Sequence, residues 1–262
     1  MFQPVIPSGG ISGWRFLQRT YDAQLETFGQ SAQIQRETDH FKEKIAGITT
    51  AEDLVADRQL LTVALGAFGL SDDIDNKFFI KKMLEEGSTA DDALANRFTD
   101  TRYSDMVAAF GFGPSEITRT GFTLFTDEII EKYQVNQFET ATGEQDESMR
   151  IALYAQRELV DVVSEEGSDA QKWFTIMGQP PLRSLFETAL GLPSAVAQVD
   201  IDRQLEIFQD RADSIFGSPS PAQFSDPEKL ENLVTQYLAR AQIQSIGTGS
   251  SSAAIALTLL QS

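Results

Sequence analysis

The sequence predicts an all-α protein, an elongated multi-helix bundle divided into two helical lobes. Three observations carry that prediction. Helix stops of one design recur as Ala67-Phe68-Gly69-Leu70, Ala109-Phe110-Gly111-Phe112 and Ala189-Leu190-Gly191-Leu192. Each puts a glycine where a left-handed residue ends a helix. Apolar residues ahead of the stops recur at helical spacing, as Leu54, Leu61, Leu65 and Phe68 do. No stretch reads as a confident strand, and Gly121-Phe122-Thr123-Leu124-Phe125 is too short and isolated to found a sheet.

Taken in order, residues 1–13 are rich in Pro, Gly and Ser and read as a flexible arm with Phe2, Val5, Ile6 and Ile11 available to dock. A helical pattern follows from Trp14 to Ala46, polar between Gly29 and His40. Thr49 and Glu52 fit a capping box opening one helix that runs to Phe68, and Leu70 folding back on Leu65 would complete a Schellman stop at Gly69. Ser71 with Asp72 and Asp73 opens the next helix, to Gly87. A short one from Ser88 to Phe98 and another through Tyr103 to Phe110 complete a lobe of residues 14–113. Pro114 and Gly121 mark the break between lobes.

The second lobe, residues 122–245, reads as helices over 125–142, 146–164, 169–177, 182–190, 195–216 and 227–243. Ser225, Pro227 and Glu228 start the last of these. Residues 246–262 read as a Gly/Ser linker and an uncharged apolar tail.

A formal net charge of −18 repels phosphate backbones and anionic lipid, so nucleic acid is not an expected partner. With no cysteine, thiolate metal sites, disulfides and a Cys nucleophile are excluded. No window reaches the ~18 apolar residues of a membrane span, and the first residues lack the basic start and apolar run of a secretory signal.

Residues able to do chemistry are sparse. The sole histidine lies in Glu37-Thr38-Asp39-His40, half of a di-iron carboxylate motif that needs a second histidine. Asp72, Asp73 and Asp75 lack the glycine and distal glutamate of a calcium loop, and read as helix-start acids. Gly247-Thr248-Gly249 and Gly111-Phe112-Gly113 lack the Lys-Ser/Thr pair of a phosphate loop. The expectation is no catalytic residue, no cofactor and no metal.

Phe41, Ile45 and Ile48, followed by AEDLVADRQLLTVALGAFGL, FFIKKMLEEG and ALANRFTDTRYSDMVAAFGF, resemble an uncharacterised domain family found mainly in alphaproteobacteria. The segment from Trp173 to Phe208 is similar to that family's second half. Its genes often lie beside flagellar basal-body and rod genes, so the resemblance implies a flagellum-associated protein, otherwise a cytoplasmic one. The tail Ala253–Leu260 also resembles, in shorter form, the apolar terminal segments that pair as helices in axial flagellar proteins.

The functional expectation is a non-enzymatic structural or accessory protein binding protein partners, flagellar components or further copies of itself. The residues expected to bind are Ile255, Leu257, Leu259 and Leu260 at one end and Phe2, Val5 and Ile6 at the other, together with the AFGL-type helix tips. Two alternatives stay open: the tail covers a groove on its own scaffold, or the protein is a cytoplasmic export chaperone or regulator.

Overall fold

The structure, a computed structural model, describes the backbone of residues 3–260 and the side chains of residues 3–245. Among the described residues there are twelve α-helices and no strand, so the protein is all-α. In order they are α1 Gly10–Gly29, α2 Ala32–Lys44, α3 Ala51–Ala56, α4 Arg58–Ala67, α5 Lys77–Glu86 and α6 Arg102–Phe110, then α7 Thr123–Gly143, α8 Glu147–Ser164, α9 Asp169–Gly178, α10 Pro180–Leu190, α11 Ile201–Phe216 and α12 Pro227–Leu260.

The helices form two compact units, one of Met1–Val5 with Arg19–Thr142, the other of Ile6–Gln18 with Gly143–Ser262. The division falls after Thr142 and not at the Pro114–Gly121 break expected from sequence. That break is a turn inside the first unit, because Thr120 is buried and its hydroxyl donates to the Ile48 carbonyl at 2.5 Å. The arm also differs from expectation. Pro4 is buried, the Val5 amide donates to Gln24 Oε1 at 2.6 Å and its carbonyl accepts from Gln24 Nε2, and α1 already begins at Gly10.

In the first unit, Phe110 meets Phe125 edge-on at 5.1 Å, and Tyr21 and Phe28 both meet Phe138 edge-on. Leu61, Leu65, Ile80, Met83 and Met106 fill the space around such rings, fully buried. The expected helix 49–68 is two helices. Asp57 takes an extended backbone and its carboxylate accepts from the Gln59 and Leu60 amides, capping α4, while Thr50 caps α3. A side chain that offers the backbone an alternative acceptor is what interrupts the helix. Residues 71–73 and 94–97 form single 3-10 turns where longer helices were expected.

In the second unit, Trp173 is ringed edge-on by Phe186 at 5.1 Å and Phe208 at 5.8 Å, and Phe224 meets both Phe186 and Phe216. The Trp173 indole N–H donates to the Pro219 carbonyl at 2.9 Å, so its one polar atom is satisfied in the core. α12 opens on Asp226, whose carboxylate accepts the Glu228 amide. Its backbone stays helical through positions 247–252, where the sequence reads as a linker. Each glycine there weakens a helix by about 1 kcal/mol, and the well-packed first half that nucleates the helix offsets this.

The glycine stops behave as expected. At Gly69 (φ +68°) the Leu70 amide donates to the Leu65 carbonyl and the Gly69 amide to Gly66, a Schellman motif. The same pair of bonds closes α10, from Leu192 to Glu187 and from Gly191 to Thr188.

Candidate functional site

The polar groups that the sequence offers for chemistry are occupied in holding the fold. His40 Nε2 lies 2.8 Å from Asp57 Oδ2, and Asp57 also caps α4. Burial pushes the Asp57 carboxyl up, but the hydrogen bonds from His40, Leu60 and Gln59 outweigh it and hold the group below its ordinary value. Glu37 accepts from the buried Tyr133 hydroxyl at 2.5 Å, so Glu37 and His40 serve different partners and do not converge. Asp73 accepts from Tyr103 at 2.6 Å, and Asp75 pairs with Arg58. Among the described residues no group of three or more His, Asp or Glu is placed to hold a metal ion.

The helix tips are core as well, contrary to expectation. Phe68, Leu70, Phe110 and Leu190 are buried, the Gly69 carbonyl accepts from Arg102 at 2.6 Å, and the Leu190 carbonyl accepts both Nε and Nη2 of Arg211. The backbone acceptors at these two tips thus bond to arginines of the protein itself.

What the first unit does present is the loop between α6 and α7. Gly111 turns the chain out of α6 with φ +64°, and the Glu116 carboxylate then fastens the loop to the turn after α5. Glu116 Oε1 accepts from the Ser88 amide at 2.6 Å, the Ser88 hydroxyl at 3.0 Å, and the Thr89 amide and hydroxyl at 3.2 and 3.0 Å. Its Oε2 accepts the Gly113 amide at 3.3 Å. Partial burial raises this carboxyl, yet the Ser88, Thr89 and Gly113 hydrogen bonds together hold it below the ordinary glutamate value. Thr118 donates to the Gly111 carbonyl, and the Arg119 amide to the Phe110 carbonyl.

With those polar groups satisfied internally, the apolar side chains of the loop and of the first turn of α7 face outward. Ile117 is 76% exposed, Phe122 56% and Leu124 82%. Ile117 and Phe122, with Ala108, Gly111 and Arg119, line an open depression of about 510 Å³. Leu124 stands off the buried stripe of α7, which runs Phe125, Ile129, Tyr133, Asn136. Covering one such side chain contributes about 1.5–3 kcal/mol before ordering costs. Such a face can hold another polypeptide's apolar surface, and its carboxylate is already engaged.

Of the residues expected to bind partners, Val5 is 53% exposed but gripped through its backbone, and Ile6 is half-buried. Phe2 lies outside the described residues. Positions 255, 257, 259 and 260 lie on α12, with side chains outside the described ones. Sequence reading passed over Ile117, Phe122 and Leu124. The available signal for Phe122 and Leu124 was the run 121–125, which no sheet accounted for.

Residues 67–230 match the model of a family described as protein of unknown function, DUF1217. The chain belongs to the DUF1217 family. The match opens at the first glycine stop and spans the α6–α7 loop and the second Schellman stop. No curated protein matches the chain. The DUF1217 fold is similar to the crystal structure of protein AGR_C_984 from Agrobacterium tumefaciens. The TM-score is 0.75 and the identity 24%, over 93% of this chain and 99% of that one. That likeness shows a shared all-α fold. No described helix of this DUF1217 protein is long and apolar enough to cross a membrane.

Proposed function

We propose that this protein is a non-enzymatic structural or accessory component that binds protein partners during assembly of the bacterial flagellar basal body and rod. The observation that carries the partner-binding half is the α6–α7 loop with the first turn of α7, where Ile117, Phe122 and Leu124 stand exposed beside the Glu116 clamp. A pre-ordered apolar face loses little conformational entropy when it is covered. The occupation of His40, Glu37, Asp57 and Asp73 in structural bonds supports a role without turnover. The flagellar half rests on the family resemblance of residues 41–112 and 173–208, whose members are often encoded beside basal-body and rod genes.

The test is fractionation of the bacterium that encodes the protein. The wild type is expected in purified basal bodies, and an Ile117→Asp/Phe122→Asp variant is expected to stay in the soluble fraction with its thermal unfolding unchanged. A wild type found only in the cytosol would replace this reading with that of an export chaperone or regulator.

A further inference from the structure

The first unit carries an exposed aromatic ring as well as an open depression. Phe78, in the first turn of α5, is 81% exposed, and no other described phenylalanine is more than 56% exposed. The next residue, Phe79, packs edge-on against Phe98 at 5.5 Å and Tyr103 at 6.0 Å. Successive residues of a helix point about 100° apart, so seating Phe79 leaves Phe78 in water.

The charge around Phe78 is unusual for this protein. Residues 74–84 hold three lysines and one aspartate, in a chain of net charge −18. Lys81 and Lys82, three and four residues on, lie on the same side of α5 as the ring. Lys81 pairs with Glu52 and Glu85, and Lys82 with Glu86. Surface pairs of this kind hold weakly and exchange readily for others.

The depression beside α6 has the opposite character. Ala108, Gly111, Ile117 and Phe122 supply its apolar lining, and Arg119 is the one cation among its described lining residues. Glu128 lies 4.0 Å from that guanidinium. Asp105, one turn before Ala108 on α6, is exposed, as are Asp91 and Asp92, which follow the Thr89 that also lines the depression.

We infer that the occupant of this depression is Phe78 of a second copy of this chain, with Lys81 and Lys82 meeting the acids at the rim. This rests on the partner-binding reading above and names the partner. A chain cannot fill its own depression. Phe78 sits at one end of α5, and Ser88, which lines the depression, lies just past the other, about 15 Å along the helix axis. The contact therefore joins two different surfaces, each copy offering one ring and one depression, and runs head to tail. Charge selects this ring, because an apolar group flanked by acids would be repelled by the rim, whereas one flanked by lysines is drawn to it. The Glu116 bonds to Ser88 and Gly113 hold the depression open before the ring arrives. One ring in one depression is a small interface, so association is reversible and rises with concentration.

The test is sedimentation of the purified full chain over a range of concentrations. The wild type is expected to sediment faster as concentration rises. Phe78→Ser, which removes the ring, and Ile117→Asp/Phe122→Asp, which spoils the depression, are each expected to weaken association about tenfold or more. Mixing these two variants is the decisive step. The first still offers its depression and the second its ring, so the mixture is expected to form a one-to-one dimer that neither forms alone. Lys82→Glu, with the ring kept, is expected to weaken the wild-type association about fivefold. Thermal unfolding of all three variants should match the wild type, since the side chains replaced are exposed. A mixture that stays monomeric, a Phe78→Ser chain that associates as the wild type does, or a wild type that is monomeric at every concentration overturns the inference. A monomeric wild type that still enters basal bodies overturns it and leaves the functional reading standing. A mixture that pairs as expected, from a protein never found in basal bodies, supports the inference and overturns that reading.

Discussion

Gly87 and Gly113 pack backbone to backbone. A Cβ on Gly87 would lie 2.8 Å from the Gly113 Cα, and one on Gly113 would lie 2.4 Å from the Gly87 Cα. This approach brings the Ser88 and Thr89 amides within reach of Glu116, so the exposed loop depends on two missing methyl groups. Gly113→Ala is expected to cost about 1–3 kcal/mol, the usual penalty of overpacking. Urea unfolding with an unchanged slope would measure it. A midpoint equal to the wild type would contradict the close approach.

Glu116 and Asp57 contribute to the acid limb of stability. Both carboxyls sit below their ordinary values of 4.5 and 3.8 in the folded state. A group depressed on folding stabilises the protein above its unfolded value, and that contribution disappears as pH falls through the folded one. Glu116→Gln is therefore expected to destabilise by roughly 1.5–3 kcal/mol at neutral pH, since hydrogen bonds to a charge are lost. The gap from wild type should close as pH drops below 4.5. A gap constant from pH 7 to pH 3 would count against the assignment.

Tyr103 reports from the opposite end of the scale. Burial and the hydrogen bond to Asp73 push its hydroxyl up to about 12, above the ordinary 10.0. The neutral phenol is the form the fold favours, so its contribution is complete below the unfolded value and lost as pH rises through the folded one. Absorbance titration of the wild type against Tyr103→Phe should show one tyrosine titrating near that raised value, absent in the variant.

The glycine stops at Gly69 and Gly111 should not respond alike to alanine. A Cβ at Gly69 would come 3.3 Å from the Arg102 guanidinium, a contact relieved by a shift of a few tenths of an ångström, whereas at Gly111 it would meet the Ile117 backbone carbonyl at 2.3 Å. Gly69→Ala is expected to cost about 1–2 kcal/mol from the left-handed backbone alone. Gly111→Ala should cost more and should also disturb the loop. Thermal melts of the two variants compare them directly.

Surface substitutions separate binding from folding. Ile117→Asp and Leu124→Asp remove exposed apolar groups and leave no buried vacancy, so each should change stability by no more than about 0.5 kcal/mol. A large loss of stability in either would mean that these side chains support the core.

Much of this protein was legible from the residues alone, and for one reason. A glycine stop is made by bonds that close within six residues, so Gly69, Gly111 and Gly191 needed no knowledge of the rest of the chain, whereas the expected caps at Thr49 and Ser225 each fall to the next residue, Thr50 and Asp226. Helical class follows, because capped segments with 3.6-residue periodicity have few other ways to bury an apolar stripe.

Tertiary structure decided everything that depends on partners distant in sequence. His40 lies 17 positions from the Asp57 it pairs with, at the point where one expected helix becomes two. Thr120 reaches back 72 positions to Ile48 and so turns an apparent lobe boundary into an internal turn. Whether Phe110 or Ile117 faced water could not be read from hydrophobicity, which is high for both. The first is sealed against Phe125, and the second is turned outward by the Glu116 clamp. Local bonds write the helices into the sequence, and only long-range packing and hydrogen bonding choose which apolar side chains are left for another molecule to cover.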